Sequence, residues 1–436
     1  MPTSSKEPRP NRSCHPQDVA LGASARPATT NAAPNPLVSA IAEGCLGEHG
    51  VSLYVHLPFC VKKCRYCDFN SYAWKEQDLD RHVDAVLLET QRRASGLKPQ
   101  TVFFGGGTPT LLGAERIARL LQGMQEHTGF RDSAAEVTME ANPESLDLEV
   151  AQAAAEGGVN RFSIGFQSLR PDVLEAYDRV HSPEDSLRAF EAARAAGVGR
   201  INVDLIYAFP GQDPESWFAD LKTVQDLKPE HLSCYELSYE PGTALTRLRD
   251  VGRWEQEDPD LCLELFEETR RRNEAAGYFG YEVSAFAKEG EASRHNLAYW
   301  RSLDYVGIGA GAAGWKDGVR RRNQELPDVY EQMVFAGEDP VDQHERSTQE
   351  TILFDGLMMG LRLQHEGVSL PRLRRISGID LMDRHGEDVR RTCEEGLLEL
   401  VEEDGEAVIL RTTPRGFLLL DDILQRFLPE PPTLPV

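Results

Sequence analysis

Three cysteines lie close together in the first quarter of the chain. Cys60, Cys64 and Cys67 stand in the segment C-V-K-K-C-R-Y-C, directly after an apolar run over residues 52–59. Iron–sulfur clusters usually take four cysteine ligands. Three thiolates would leave one iron open, and an open coordination position marks a catalytic metal rather than a structural one. The spacing therefore predicts a [4Fe–4S] cluster with one iron free to bind a small molecule through an amine and a carboxylate.

Zinc is the main alternative for these three thiols. A structural zinc ion takes four ligands, usually in close pairs. The nearest further candidates, Cys45, His56 and Asp68, make no second close pair. We find no secretory signal, and eight cysteines in 436 residues are too sparse for a disulfide framework. A zinc-stabilised adaptor without cofactor chemistry stays open at this point.

The elements that must position the cysteines are short strands alternating with helical patterns, which predict parallel βα units. Strands are expected at residues 52–57, 101–104, 136–140, 161–165, 200–207 and 232–237, and helices include residues 78–95, 114–127 and 214–227. Six units predict an α/β protein with a partial (β/α)6 barrel. Functional groups of barrels lie at the C-terminal ends of strands. Polar or glycine residues at these ends predict one site: Cys60, Gly105, Glu140, Gln167 and, inside the fifth strand, Asp204.

The pattern changes after the barrel. Helices are expected at residues 348–363 and 389–402, and E-A-V-I-L-R-T-T-P-R-G-F then predicts a β-hairpin and a turn. This order is typical of a small α+β winged-helix-like domain, for which we expect a packing or docking role. The chain therefore divides into a disordered low-complexity extension, the barrel, the second domain and a Pro-rich tail, at residues 1–47, 48–325, 326–428 and 429–436.

The charge balance excludes some functions. The chain has 47 basic and 71 acidic residues, a net charge of −24, which repels phosphate backbones. Nucleic acid is therefore not an expected partner. No run approaches the roughly 18 apolar residues of a membrane span. A cluster and free thiols favour a reducing interior, so a cytoplasmic location is expected.

A glycine-rich turn follows the second predicted strand. Residues 103–110 read F-F-G-G-G-T-P-T. Glycines let the backbone come close to a ligand and can expose N–H groups to it. Such turns are also common as plain punctuation between elements. The motif is weak by itself and gains meaning only from its position beside the cysteines.

The cysteine spacing resembles the signature of radical S-adenosylmethionine (AdoMet) proteins, and Y-V-H-L-P-F-C-V-K-K-C-R-Y-C-D-F-N resembles their haem-related branch, the oxygen-independent coproporphyrinogen III oxidase-like family. The resemblance covers about residues 50–425. It implies that AdoMet chelates the fourth iron. It also implies two groups of AdoMet residues: Tyr54, Gly106, Gly107, Thr108 and Glu140 for the first, and Tyr66, Gln167, Arg179 and Asp204 for a second AdoMet or substrate-side pocket. Arg179 and Asp204 could equally form a structural ion pair.

Two features favour the haem chaperone branch of that family. The segment H-N-L-A-Y-W at residues 295–300 resembles a mark of that branch, and it makes His295 a candidate haem ligand because imidazole is a normal axial ligand. A lone histidine is more often a packed or surface residue. The oxidases carry a further cysteine two positions after the third ligand, where this chain has Asp68-Phe69.

The resemblance implies a protein that binds haem, a [4Fe–4S] cluster and AdoMet, and hands haem to acceptor haemoproteins. Any membrane contact would come through those acceptors. The alternative is an oxygen-independent coproporphyrinogen III oxidase, which removes hydrogen from propionate side chains by radical chemistry. We expect no such oxidase activity, and whether AdoMet is cleaved stays open.

Overall fold

The computed structural model describes residues 46, 50–403 and 405–429. Apart from residues 46 and 429, the extension predicted at residues 1–47 and the tail predicted at residues 429–436 lie outside the described residues. Cys14 and Cys45 lie outside them as well. Among the helices that are described, none is both long and apolar enough to cross a bilayer.

The first half of the described chain alternates strands and helices. Its strands are β1 (Ser52–Leu57), β2 (Phe59–Cys60), β3 (Tyr72–Ala73), β4 (Thr101–Gly106), β5 (Glu136–Ala141), β6 (Arg161–Gln167), β7 (Arg200–Tyr207) and β8 (His231–Glu236). Its helices are α1 (Leu79–Arg93), α2 (Gly113–Thr128), α3 (Phe130–Ser133), α4 (Leu148–Glu156), α5 (Pro171–Ala176), α6 (Pro183–Ala195) and α7 (Pro214–Asp226).

The second half is less regular. Its strands are β9 (Phe279–Gly280), β10 (Ala285–Ala287), β11 (Tyr305–Ile308), β12 (Ala313–Lys316), β13 (Val319–Asn323), β14 (Val341–Arg346), β15 (Val368–Ser369), β16 (Leu398–Glu403) and β17 (Glu406–Thr412). Its helices are α8 (Ala244–Asp250), α9 (Pro259–Ala275), α10 (Arg294–Trp300), α11 (Pro327–Ala336), α12 (Gln349–Gly360), α13 (Leu370–Ser377), α14 (Leu381–Glu394), α15 (Pro414–Leu418) and α16 (Leu420–Leu424). Three 3-10 turns complete the elements: Pro109–Leu112, Pro143–Ser145 and Gln425–Phe427.

The six strands expected from the sequence form the parallel wall β1-β4-β5-β6-β7-β8, so the predicted α/β barrel class is confirmed. Residues on alternate positions point to the same side, and the helices between the strands cover the outer side with apolar residues. The helix starts follow local chemistry. Asp78 accepts from the backbone of Arg81 at the start of α1, and Ser182 and Asp185 form a capping box at the start of α6.

A seventh parallel strand was not expected from the sequence. β11 pairs with β1 on the edge opposite β4, and β12, β13 and β14 continue the sheet in antiparallel order. The segment is rich in glycine, which is depleted in strands. Close packing explains these glycines. A side chain at Gly309 would overlap the backbone of His56, and one at Gly311 would overlap Asn70.

The C-terminal region has a separate apolar core and a three-stranded sheet in the order β15-β17-β16. The helix predicted at residues 389–402 is wrong in its second half. α14 ends at Glu394, Gly396 takes the left-handed conformation at φ +70°, and β16 begins at Leu398. Glycine just after a helix is a common stop signal. The predicted hairpin is present, but β16 is its first strand and β17 its second.

Candidate functional site

The three cysteines lie on the loop that follows the first barrel strand. β2 carries Cys60 and pairs with β3, and the loop between these two short strands holds Cys64 and Cys67. Arg65 donates to Asp178 at 2.8 Å. Asn70 donates to the carbonyl groups of Ala310 and Glu325, both at 3.2 Å. The loop is therefore fixed on both sides by the rest of the barrel.

Each thiol contacts a different polar side chain. The hydroxyl of Thr108 donates to Cys60, Nη1 of Arg179 lies 3.5 Å from Sγ of Cys64, and the hydroxyl of Ser71 lies 3.7 Å from Sγ of Cys67. Burial raises the pKa of the Cys60 thiol to about 11 and also raises the pKa of Cys67. Buried thiols of this kind ionise only when a cation such as iron compensates the charge.

The spacing of the thiols separates a cluster from a single ion. Within residues 50–403 and 405–429, no three His, Cys, Asp or Glu side chains are close enough together to hold one metal ion. In a four-iron cluster each cysteine binds a different iron, so the sulfur atoms do not need to meet at one point. Three thiols that each contact a polar side chain and surround an open cavity therefore fit a four-iron cluster better than a single zinc ion.

The glycine-rich turn packs against the cysteine loop. The amides of Gly107 and Thr108 donate to the carbonyl groups of Leu57 and Phe59, both at 2.8 Å, and the amide of Gly106 donates to Oε2 of Glu140 at 3.0 Å. The expectation that these N–H groups face a ligand is therefore wrong. A side chain at Gly106, where φ is +108°, would overlap the ring of His56. The glycines allow backbone to approach backbone.

A cavity of about 630 Å³ opens beside these residues at the C-terminal ends of the strands. Twelve of the fourteen residues predicted for the site line it. The exceptions are Gly105 and Thr108, and Thr108 is 2 % exposed and touches Cys60 and Asn142 instead. The structure thus brings the predicted residues into one cavity, and their ligands remain predictions.

Two carboxyl groups lie inside the cavity. Burial, and then the nearby Asp204, raises the pKa of Glu140 to about 8. Burial also raises the pKa of Asp204, which accepts from Ser163 at 3.0 Å and from Asn202 at 2.8 Å. A buried carboxyl with a raised pKa becomes charged when a cationic ligand arrives. This end of the cavity is suited to a positively charged ligand.

Arg179 and Asp204 do not pair in the described structure. Nη2 of Arg179 donates to Oδ1 of Asn142 at 2.7 Å and to the carbonyl of Gly165 at 2.8 Å, while Nη1 faces Cys64. The ion pair left open by the sequence is therefore wrong. Nearby, Gln167 adopts φ +66° at an irregularity between β6 and β7. Strained backbone of this kind is frequent at functional sites.

Tyr54 and Tyr66 reach the cavity from two sides. The hydroxyl of Tyr54 donates to Nδ1 of His56 at 2.9 Å, and Nε2 of His56 donates to the carbonyl of Asn70 at 2.9 Å. Burial lowers the pKa of His56 to about 4, so this imidazole is neutral and holds the cysteine loop. Tyr66 packs edge-on against Tyr177, with ring centroids 5.1 Å apart.

The opposite end of the cavity is closed by a group we call the floor: Thr101, Glu136, Arg200, His295 and Tyr299. Glu136 pairs with Arg200 at 3.0 Å and accepts from the amide of His295 at 3.0 Å. Burial alone would raise the pKa of Glu136, but Arg161, Arg200 and two backbone donors hold it below its usual value. The floor is therefore a paired, buried network.

His295 has partners at both ring nitrogens. The Thr101 hydroxyl donates to Ser52, so Nδ1–H of His295 donates to Thr101 at 2.8 Å and Nε2 accepts from the Tyr299 hydroxyl at 2.8 Å. Burial lowers the pKa of His295 to about 4, which keeps the ring neutral. His295 lines the cavity but is 0 % exposed. It could bind iron only by exchanging the Tyr299 hydroxyl for the metal.

Several residues at the site were missed by the sequence analysis. Asn142 bridges Thr108 and Arg179, Ser71 contacts Cys67, and Arg161 lines the cavity from the start of β6. Asn142 could have been predicted from the sequence, because it follows Glu140 in M-E-A-N-P at the end of a strand. No motif in the sequence indicates that the hydroxyl of Ser71 contacts the site.

Comparison with known proteins agrees with this geometry. Residues 54–224 match the model of the radical SAM superfamily. The chain is 35 % identical to "Heme chaperone HemW" of Bacillus subtilis over 383 residues, which cover 87 % of this chain and 99 % of that protein. It is 33 % identical to the mitochondrial "Radical S-adenosyl methionine domain-containing protein 1" of Danio rerio over 405 residues, 89 % of this chain and 90 % of that one.

Among solved structures, the radical SAM enzyme coproporphyrinogen III oxidase (HemN) from Escherichia coli has a TM-score of 0.73 at 24 % identity, covering 89 % of this chain and 92 % of that one. At this identity the likeness shows the fold, which is a radical SAM barrel. The chain belongs to the HemW branch of the HemN-like radical SAM family.

Proposed function

We propose that this protein is a haem chaperone that carries a [4Fe–4S] cluster on Cys60, Cys64 and Cys67, binds AdoMet beside it, and passes haem to acceptor haemoproteins. The observation that carries the proposal is the single cavity in which three separately contacted thiols face two buried carboxyl groups. Membership of the HemW branch supports the haem part, because the bacterial relative is named a haem chaperone.

The chemistry of the cavity supports AdoMet as the small ligand. AdoMet carries a permanent positive charge on its sulfonium group, and Glu140 offers a buried carboxyl that ionises against a cation. Tyr54, Gly106 and Glu140 lie on neighbouring strands at this position, and Gly107 directly follows the strand of Gly106. We assign Thr108 a supporting role at Cys60, since its side chain does not reach the cavity. When bound, AdoMet would supply the fourth iron with its amine and carboxylate.

Tyr66, Gln167, Arg179 and Asp204 form the second part of the proposed ligand site. All four line the cavity. The guanidinium of Arg179 already contacts Cys64, so Arg179 would contact a second ligand from the side of the cavity where the cluster binds. Asp204 is the second carboxyl that can balance a positive ligand.

The alternative function is coproporphyrinogen III oxidation. The HemN neighbour supports the fold and not the activity, because the identity is 24 %. At the position where oxidases carry a further cysteine, this chain has Asp68-Phe69. We expect no protoporphyrinogen when reduced, AdoMet-supplemented protein is incubated with coproporphyrinogen III. Sustained product formation would replace the chaperone proposal with the oxidase. The zinc-stabilised adaptor would instead show zinc without iron or sulfide.

Haem binding is tested most sharply at Nε2 of His295, the proposed ligand atom. Its lone pair is occupied by the Tyr299 hydroxyl. If this nitrogen binds haem iron, Tyr299→Phe removes the competitor and strengthens haem binding, whereas His295→Ala weakens it and shifts the Soret band. The measurement is haem titration of cluster-loaded protein, with His365→Ala as a matched control on an exposed histidine in the C-terminal region. Identical titrations for all four proteins would place the haem ligand elsewhere.

The proposed partners follow from the same function. They are haem and acceptor haemoproteins, with any membrane contact made through the acceptors, and the net charge of −24 argues against nucleic acid. We propose a cytoplasmic location. Fractionation of cells that produce the tagged full chain tests it, and recovery in a mitochondrial fraction would contradict it.

A further inference from the structure

The three thiols of the site differ in the charge of their partners. Cys60 and Cys67 contact the neutral hydroxyl groups of Thr108 and Ser71, whereas Cys64 contacts the guanidinium of Arg179. Hydrogen bonds and net charge at the sulfur atoms are among the factors that set the reduction potential of an iron–sulfur cluster. Cys64 is thus the ligand through which the chain can act most strongly on the cluster.

The direction of the Arg179 group is fixed by contacts on its other two nitrogens. Nη2 donates to Oδ1 of Asn142 and to the carbonyl of Gly165, and Nε lies 3.4 Å from Nδ1 of His181. A guanidinium is planar. When two of its three nitrogens are held, the third has one direction left, and here it points at Cys64.

His181 is itself oriented by the barrel. Nε2 of His181 lies 3.2 Å from the carbonyl of Phe166, so this nitrogen carries the hydrogen and Nδ1 accepts from Arg179. Oε2 of Glu144 lies 3.6 Å from the same Nδ1 and has no hydrogen-bond partner in the described structure. His181 is 5 % exposed. Buried groups of this kind orient the residues that contact a metal site.

We infer that His181 and Asn142 are positioning residues that aim Arg179 at Cys64, and that the charged hydrogen bond formed there raises the midpoint reduction potential of the cluster. The inference rests on the proposed cluster. A cation beside a ligand sulfur favours the reduced cluster, which carries one more negative charge. Glu144 acts in the opposite direction, because its carboxylate lies 3.6 Å from His181 and its negative charge interacts with Arg179, which offsets part of the guanidinium charge.

The test is a potentiometric titration of reconstituted full-length protein, followed by electron paramagnetic resonance, after iron and sulfide have been measured. His181→Leu should lower the midpoint potential. His181→Gln should restore it, because the amide can donate to the Phe166 carbonyl and accept from Arg179. Glu144→Gln should raise it. The matched control is His385→Leu in the C-terminal region, where Nδ1 of His385 lies 3.8 Å from Asp388, and its potential should equal that of the wild type.

Resonance Raman spectra provide a second readout. Loss of the hydrogen bond to Cys64 should shift one iron–thiolate stretching band in His181→Leu and leave the bands of His385→Leu unchanged. Potentials of His181→Leu and Glu144→Gln that both match the wild type would overturn the inference. If His181→Leu fails to assemble a cluster, an unchanged potential in Glu144→Gln alone overturns it. A wild-type protein without iron is a different failure, since it contradicts the proposed cluster itself.

Discussion

The two ends of the cavity treat their buried polar groups differently. At the floor, Glu136 is paired with Arg200 and holds the amides that begin α10, and both ring nitrogens of His295 are occupied. At the mouth, which we define as Cys60, Cys64, Cys67, Gly106 and Glu140, burial raises the pKa values of the Cys60 and Cys67 thiols, and Glu140 has one backbone donor. The polar groups of the floor are paired with one another, whereas the thiols and the Glu140 carboxyl of the mouth could still take up negative charge against a bound cation.

This contrast distinguishes residues that stabilise the barrel from residues that are available to bind a ligand. A buried carboxylate with cationic partners has its pKa lowered, as at Glu136, whereas one without them has its pKa raised, as at Glu140. The two residues lie on the same strand, four positions apart. Two acidic residues on one strand therefore need not share a role, because the role of each depends on the groups that contact its carboxyl.

The largest effect is expected from the same substitution at the two carboxyls. Glu136→Gln breaks a buried ion pair and should lower the free energy of unfolding by on the order of 3 kcal/mol. Glu140→Gln replaces a carboxyl that is mostly neutral at pH 7 and should change it by less than about 1 kcal/mol. Urea denaturation of both variants measures the difference. Equal losses would remove the distinction between floor and mouth.

The next effect concerns AdoMet. Glu140→Gln removes the carboxylate that balances the positive ligand, and loss of a charged hydrogen bond costs about 1.5–3 kcal/mol, or roughly 10- to 100-fold in Kd. Isothermal titration of cluster-loaded protein measures it. Glu282→Gln is the matched control, because Glu282 is another buried carboxyl with a raised pKa that does not line the cavity. An unchanged Kd in Glu140→Gln would place the ligand's positive groups elsewhere.

The pH dependence sharpens the same point. The pKa of Glu140 is about 8 in the free protein, so the carboxyl is mostly protonated at pH 7. A cation binds the ionised form, so AdoMet binding at pH 7 should release close to one proton from Glu140, in addition to the proton that the AdoMet amine loses on binding iron. Affinity should increase between pH 6 and 8, by up to tenfold per unit. Calorimetry in buffers of different ionisation enthalpy counts the proton. Release of the same number of protons by the wild type and by Glu140→Gln would contradict the assignment.

The smallest effect is expected at the floor. Tyr299→Phe removes the hydrogen bond to Nε2 of His295 and leaves a neutral buried nitrogen without its donor. The free energy of unfolding should fall by about 1 kcal/mol. Tyr278→Phe is the matched control for loss of one buried tyrosine hydroxyl, because the Tyr278 hydroxyl donates to the Pro229 carbonyl at 2.9 Å. A loss far above that of the control would mean that Tyr299 holds more than His295.

The order of the barrel strands could be predicted from the sequence because hydrophobic runs and turn residues alternate regularly from β1 to β8. Most site residues could be predicted as one group as well, because the strand ends of a parallel sheet meet at one edge. It failed where tertiary packing overrides local pattern. β11 was missed because the glycines in and directly after it are explained only by the approach of Ala313, His56 and Asn70. The helix prediction fails over residues 398–402 because Gly396 adopts the left-handed conformation and ends the helix before them.

Orientation was the other quantity that the sequence could not supply. Thr108 stands in the predicted motif, yet its hydroxyl turns to Cys60 and away from the cavity. Arg179 was grouped with Asp204 and instead faces Cys64. For the same reason Gly106→Val is a poor test of ligand binding, because a new side chain would first overlap His56. Substitutions at Glu140 avoid that conflict.

The central claim is that the mouth holds an iron–sulfur cluster on three cysteines. Iron and sulfide content of anaerobically reconstituted protein tests it most directly, with Cys64→Ala compared with Cys234→Ala, whose buried thiol lies away from the cavity. We predict four iron and four sulfide per chain in the wild type and in Cys234→Ala, with both largely lost from Cys64→Ala. Full iron content in Cys64→Ala, or zinc in place of iron in the wild type, would contradict the account.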